Sequence, residues 1–373
     1  MKLTDHGLIF DATKVAGPLR VCSFTDLCPL SSGKILASFR RGSGKDSADG
    51  NCVVAESSDN GQSWRVISEG FESTHSGVTG EVRAVEIVEL DDGTLMALMN
   101  WVDRSAGEKF HSAETDTLLP LKMFTATSKD GGRTWGSYQE LKAKNIGTPA
   151  ITGSILRLPD KGWLFFLEDY EPREEGGPSV HSSHAWLSPD GQSFGEPITI
   201  TRHPEDAIFY WDQRQARCAR TGRIVSMFWT FDRPAEKDLD IHMAWADPDT
   251  LTWEKPYSTG IKGQIAMPIP LPDGRLLSFY VDREAPGALR LIASNDDGKT
   301  WDHANELVIY DNSGGSQSGA EGHSDYAQSW EDMNVWTFGH PTACLLDDKT
   351  LLLAYYAGPN DKCLSAHWAR VEV

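Results

Sequence analysis

One octapeptide, Ser-x-Asp-x-Gly-x-Ser/Thr-Trp, limits what this chain can fold into more than any other feature. It occurs in full as Ser57-Ser58-Asp59-Asn60-Gly61-Gln62-Ser63-Trp64, Ser128-Lys129-Asp130-Gly131-Gly132-Arg133-Thr134-Trp135 and Ser294-Asn295-Asp296-Asp297-Gly298-Lys299-Thr300-Trp301. Ser188-Pro189-Asp190-Gly191-Gln192-Ser193-Phe194 is a copy one residue short, and Asp247 to Trp253 a worn fifth. The chemistry is that of a hairpin turn: the Asp side chain bonds nearby backbone N–H groups, Gly takes a positive φ, and the aromatic residue anchors the turn from below. Such a repeat speaks for architecture, not for catalysis.

A second repeat lies upstream of each turn, an apolar strand, a tight polar turn and another apolar strand. The tight turns are Ser31-Ser32-Gly33, Asp91-Asp92-Gly93, Asp160-Lys161-Gly162, Arg220-Thr221-Gly222, Pro272-Asp273-Gly274 and Asp347-Asp348-Lys349. The runs that follow, such as Lys34 to Phe39 and Thr350 to Tyr355, are apolar on both faces, as inner strands would be. Each unit therefore reads as one four-stranded blade, and residues 1–373 as a single all-β domain, a six-bladed β-propeller. The last unit lacks an outer strand, which His6 to Asp11 is expected to supply beside Ala366 to Val371, closing the ring and removing a free edge.

Thirty-five basic against 54 acidic residues give a formal net charge of −19, which speaks against nucleic acid and anionic membranes as partners. The first residues lack a signal-peptide pattern and no 18-residue apolar run occurs, so the expected location is the cytoplasm. The six Cys are scattered and read as buried thiols, with a Cys22–Cys28 disulfide as the minor alternative. No metal-ligand spacing is present, and neither metal nor cofactor is expected.

Chain direction puts first-strand starts, second-strand ends and the loops into third strands on the face opposite the Asp turns. First-strand starts there carry Asp26, Glu81, Arg83, Asp212, Arg214 and His340. Second-strand ends and their loops carry Arg40, Asp46, Asp49, Asp103-Arg104, Glu168-Asp169-Tyr170, Asp232-Arg233 and Asp282-Arg283. A ring of structural ion pairs is one reading of this set. The other is an anion clamp, because guanidinium forks match carboxylate or sulfate, with Arg83, Arg214, Arg233 and Arg283 approaching the axis. Trp101, Trp211, Trp229 and Trp330 fall on segments of the same face, where aromatic faces stack on sugar rings.

The octapeptide is the Asp-box, and with the blade pattern it makes the chain resemble the sialidase (BNR-repeat) superfamily along nearly its whole length. The resemblance implies a carbohydrate substrate held by Arg, an Asp acid/base, and a Tyr nucleophile activated by a Glu. It places Asp46 or Asp49 like the acid/base, Arg283 like the third clamp Arg and Arg233 like the second. It also marks departures. The first clamp Arg has no counterpart, Asp212 stands where the Glu belongs, and Gly339-His340-Pro341 stands where the Tyr belongs, with Tyr326 nearby in a long insertion from Asp311 to Thr337.

The expectation is a glycoside hydrolase on an anionic or polyhydroxylated sugar. Asp46 or Asp49 is the acid, His340, Tyr326 or Asp212 the nucleophile or base, and Asp26, Arg40, Arg83, Arg104, Arg214, Arg233, Arg283 and Trp211 bind substrate. The alternatives are a polysaccharide lyase with His340 and Tyr326 as base and acid, and a non-catalytic sugar-binding propeller. A homo-oligomer is compatible with either.

Overall fold

A computed structural model describes the chain except residues 108, 172–178 and 315–325 and the side chains of 106, 326 and 327. The chain runs through successive antiparallel meanders. The first comprises strands Val21–Pro29, Ile35–Gly42, Asn51–Ser57 and Arg65–Ser68, and the second Glu81–Glu89, Leu95–Val102, Leu121–Ser128 and Gly136–Leu141. In the third, Pro149–Ile151 and Leu156–Leu158 share the innermost position, followed by Gly162–Glu171, Val180–Ser188 and Ile198–Thr201. The fourth runs Ile208–Arg217, Ile224–Asp232 and His242–Asp247 with two short outer strands, and the fifth Ala266–Pro270, Leu276–Asp282, Ala288–Ser294 and Leu307–Asp311. The C-terminal meander runs Phe338–Asp347, Thr350–Asn360 and Cys363–Glu372.

The strand Lys2–Phe10 pairs antiparallel with Cys363–Glu372, with Leu8 opposite His367 and Phe10 opposite Ala366. Gly7 is required there, since a Cβ would lie 2.9 Å from Trp368 Nε1. The second strands are buried on both faces because each meander packs against the next. Met96 and Leu98 of the second meet Phe165 and Trp186 of the third; Val225 and Met243 of the fourth meet Leu276 and Ile292 of the fifth. Phe39 and Val53 of the first share a core with Leu352 and Trp368 of the C-terminal meander. Burial of such side chains contributes about 1.5 to 3 kcal/mol each.

The Asp turns have the expected geometry. Asp59 Oδ1 accepts from the Ser63 and Gln62 amides (2.9 and 3.1 Å), Oδ2 accepts from the Ser63 hydroxyl (2.6 Å), and Gly61 stands at φ +83. Trp64, Trp135 and Trp301 each donate Nε1–H to the turn glycine's carbonyl, at 3.0, 3.1 and 3.1 Å, although only Trp301 is fully buried. All six cysteines are free thiols. The insertion before the C-terminal meander carries a feature that periodicity did not announce, the helix Tyr326–Val335. Among the described residues no helix is long and apolar enough to cross a membrane.

Candidate active site

The site is built on a repeated backbone defect. Pairing register breaks between Ser23 and Asp26, Val82 and Ala84, Trp211 and Arg214, and Gly339 and Thr342, each time near the start of a meander's first strand. The third meander breaks there outright, at Gly153. Bulges re-aim side chains, and the residues caught in these are Phe24, Arg83, Asp212 and His340. Phe24, Asp212 and His340 adopt left-handed φ values of 52, 43 and 56. That conformation costs about 1 kcal/mol or more for each such residue.

The re-aimed side chains meet. The Phe24 ring stands edge-on to His340 at 4.9 Å, and the Arg83 guanidinium lies over Phe24 and, at 3.9 Å, over Phe110. Arg214 Nη2 reaches His340 Nε2 at 2.8 Å and Asp212 Oδ1 at 3.5 Å. Because a guanidinium only donates, Nε2 of His340 is the acceptor and the ring proton sits on Nδ1. Burial, reinforced by Arg214, holds the His340 pKa well below its usual value. The imidazole is thus a neutral donor whose buried Nδ1 has no hydrogen-bond partner. The expected base lacks a free nitrogen to take a proton.

Asp212 behaves in the opposite sense. Burial pushes its carboxyl up to about 6, and the Glu168 charge outweighs part of the pull of Arg214. The side chain keeps 26% exposure, so low-dielectric walls rather than full enclosure set the shift. With Glu168 and Arg83 it borders a cavity of about 100 Å³ whose other walls are aromatic, including Phe110, Tyr170, Trp211, Trp229 and Trp330. Glu168 is buried and accepts from the Gln213 amide (3.1 Å) and the Tyr170 hydroxyl (3.0 Å), with His181 Nε2 at 3.2 Å.

Two charge clusters stand nearby, one reaching this cavity through Arg83 and the other lining a separate pocket through Arg283 and Gln264. In one, buried Glu81 accepts from Arg40 (2.6 Å), Arg83 and Arg104 Nε (2.8 Å). Asp46 accepts from Arg104 and from the Phe110 amide at 2.9 Å. Burial works to raise the Asp46 pKa, but Arg83, the amide and Arg104 prevail and leave it lowered. A carboxylate so held is a poor proton donor. In the other cluster Lys45 Nζ donates to the Trp336 carbonyl (2.7 Å) and the Tyr356 hydroxyl (3.3 Å), and Arg283 donates to Gln264 Oε1 (3.0 Å) and the Phe338 carbonyl (2.8 Å). Burial drives Lys45 well below its normal pKa, with the Arg283 charge adding to it, and brings Arg283 down to about 10.

Several expected site residues lie elsewhere. Arg40 is fully buried and spends its guanidinium on Glu81, the Gly44 and Ser47 carbonyls and the Ser47 hydroxyl, so it braces the loop instead of reaching a ligand. Asp49 is exposed and caps the Ser43 amide. Arg233 holds Asp116, which also binds His111 and Ser179, and thereby fastens the wall of the cavity. Arg104 is committed to Glu81 and Asp46. Asp26 lies buried with Glu86, accepting from Ser154 and Thr342. Tyr326 opens the inserted helix, and its side chain lies outside the described residues.

The recurring acid-Arg dipeptides are not ion pairs. Asp103 caps Ser105, Asp232 caps Ala235 and Asp282 binds Arg290, while each neighbouring Arg, lying just beyond the strand end, turns to other partners. Lys45, Tyr356 and Glu86 escaped assignment. Among the described residues no three His, Cys, Asp or Glu side chains gather in a way that would hold a metal.

No family model and no curated protein sequence matches this chain. Solved structures do. A Dyadobacter fermentans protein of unknown function is 17% identical, covering 100% of this chain and 99% of that one with a TM-score of 0.73. A Penicillium chrysogenum α-L-arabinanase complexed with arabinobiose is 12% identical over 100% and 99% of the two chains, TM-score 0.64. A Streptococcus pneumoniae sialidase is 12% identical over 98% and 70%, TM-score 0.63. These likenesses show the fold, an all-β, sialidase-like propeller of the kind glycosidases use.

Proposed function

We propose that this chain is a glycoside hydrolase on a closed six-bladed propeller, with Asp212 as its acid/base residue. The Asp turns are read as Asp-boxes on the opposite face, and the strand Lys2–Phe10 as the closing outer strand of the last blade. The observation that carries the activity is Asp212 itself: a strained bulge residue, partly open to a cavity, with a carboxyl pKa of about 6 beside a second carboxylate. Perturbed pairs of this kind are what proton transfer to a glycosidic oxygen needs near neutral pH.

Below its pKa Asp212 carries the proton that the leaving oxygen must receive. Glu168, fixed by Gln213, Tyr170 and His181, keeps that proton in place by its charge and lies where it stabilises a developing oxocarbenium ion. Arg283 gives the reading of an anionic sugar its support, since this buried guanidinium is held by Gln264 Oε1 and the Phe338 carbonyl and, among the described residues, by no carboxylate in ion-pair range, which leaves a counter-charge for the substrate to supply. His340, with Nε2 taken up by Arg214, does not act as base.

The test is a panel of 4-nitrophenyl glycosides that includes sialosides, uronides and arabinosides. Asp212→Asn is expected to lower turnover about 10² to 10⁴-fold on the cleaved member, with an unchanged circular dichroism spectrum. Unchanged turnover, or no cleavage anywhere in the panel, overturns the proposal.

A further inference from the structure

We infer that the cavity beside Asp212 is a leaving-group subsite for a compact aromatic ring, so that the substrate is a glycoside with an aryl aglycone. The inference rests on the hydrolase reading for the word aglycone, but the pocket's preference stands on its own lining.

Several polar atoms of the lining are already spent. Asn100 donates to the Pro149 carbonyl and accepts from the Ile151 amide. The Tyr170 hydroxyl is given to Glu168. Thr152, 7% exposed, stands in the cavity wall with a buried hydroxyl that has no hydrogen-bond partner. The charged groups are Arg83, Glu168 and Asp212, the last of which would face the scissile oxygen. A second sugar ring would bring several hydroxyls to walls that are mostly aromatic, and each buried hydroxyl left unmade is a substantial loss.

Size argues the same way. The cavity of about 100 Å³ is comparable to apolar cavities of order 150 Å³ that accept benzene. The walls are held rigid. Trp330 of the inserted helix stacks on His111 at 5.0 Å with an interplanar angle of 12°, and its ring lies about 6 Å from those of Phe110, Tyr170 and Trp211. His111 is fastened in turn through Asp116 to Ser179 and Arg233. A rigid aromatic slot with one hydroxyl on its wall selects a flat ring carrying one hydrogen-bonding substituent.

The experiment is a titration of the full chain with phenol, toluene and a plain disaccharide, arabinobiose, followed by tryptophan fluorescence and calorimetry. Phenol is expected to bind at one site. Thr152→Val, which keeps the shape, should weaken phenol roughly fivefold, as one hydrogen bond is lost, and leave toluene unchanged. Trp330→Ala should weaken both by roughly tenfold or more. Absence of phenol binding, phenol affinity indifferent to both variants, or displacement of phenol by arabinobiose at similar affinity overturns the inference. Because no turnover is measured, a chain that binds phenol as described yet cleaves no glycoside refutes only the hydrolase reading. A chain that cleaves glycosides but ignores phenol refutes only the aryl subsite.

Discussion

Asp59 and Asp212 are the same residue type in two repeated backbone irregularities, and the fold drives their chemistry in opposite directions. In the turns, the Ser63 hydroxyl and amide hold Asp59 at about 2, and the Thr300 amide and hydroxyl do the same for Asp296. In the bulge, burial lifts Asp212 to about 6. On the turn face the side chain makes the backbone shape, so the sequence must repeat. On the bulge face the shape is made by strand pairing, so Phe24, Arg83, Asp212 and His340 can differ while occupying equivalent places. A propeller-type fold can in this way keep one face constant and vary the chemistry of the other.

The sharpest way to break this comparison is a stability measurement in which the two Asp sites should respond with opposite sign. Asp212→Asn retains a residue tolerant of left-handed φ and removes a charge that burial disfavours. Both states of the native protein and the unfolded chain are protonated at Asp212 below about pH 4, so the variant and the parent should there be equally stable. Between about pH 4 and 6 the unfolded chain loses the proton while the folded one keeps it, and parent stability falls. Above pH 6 the variant should be more stable by about 2 kcal/mol, read from urea unfolding at pH 5 and pH 8. A variant that is less stable at pH 8 would mean that Arg214, not burial, governs the site.

Asp59→Ala should act the other way and more weakly. It deletes the acceptor for the Ser63 and Gln62 amides in an exposed turn, and thermal unfolding should show Tm lowered by roughly 2 °C. Phenol binding at the Asp212 cavity should not change. A shift in that binding would show that the two faces are coupled.

The difference between the faces also explains what could be read in the sequence. The turns were legible because Ser, Asp, Gly and Trp satisfy one another within eight residues, and the strands because both of their faces are apolar. The pairing of Lys2–Phe10 followed from an edge left without a partner. Asp212, Arg83 and His340 were legible as positions, since strand direction places them. Their roles were not, because a bulge is a property of pairing and no residue type announces it. Lys45 stands in a loop with Ser43, Gly44 and Ser47 that reads as solvated, and only the fold brings the Trp336 carbonyl and Tyr356 onto it. Tyr356 follows directly on an apolar run and reads as core. Trp330 was placed on the correct face by its position in the insertion, whereas the helix that carries it has no strong apolar stripe to betray it.

The smallest expected effect concerns Asp26 and Glu86, a third carboxylate environment that falls between the other two. Asp26 accepts from Ser154 and Thr342, while one Glu86 oxygen is buried without a partner. Burial raises both pKa values, and for Glu86 the neighbouring Asp26 charge raises it further, well above the usual range. The pair therefore keeps a proton on Glu86 at neutral pH, and Gln at that position is close to an isostere of what is already present. Glu86→Gln should change stability by less than about 0.5 kcal/mol near pH 4, where both the folded and the unfolded parent keep the Glu86 proton. Its advantage over the parent should grow as the pH rises above about 4.5, where the unfolded glutamate gives up its proton while folded Glu86 keeps it. Asp26→Asn is the contrast, since it replaces the ionised partner and leaves an amide N–H to be satisfied among acceptors, so it should be the more costly of the two. If urea unfolding at pH 7 ranks them the other way, the proton resides on Asp26, and the ordering of charge beneath the bulge face must be reversed.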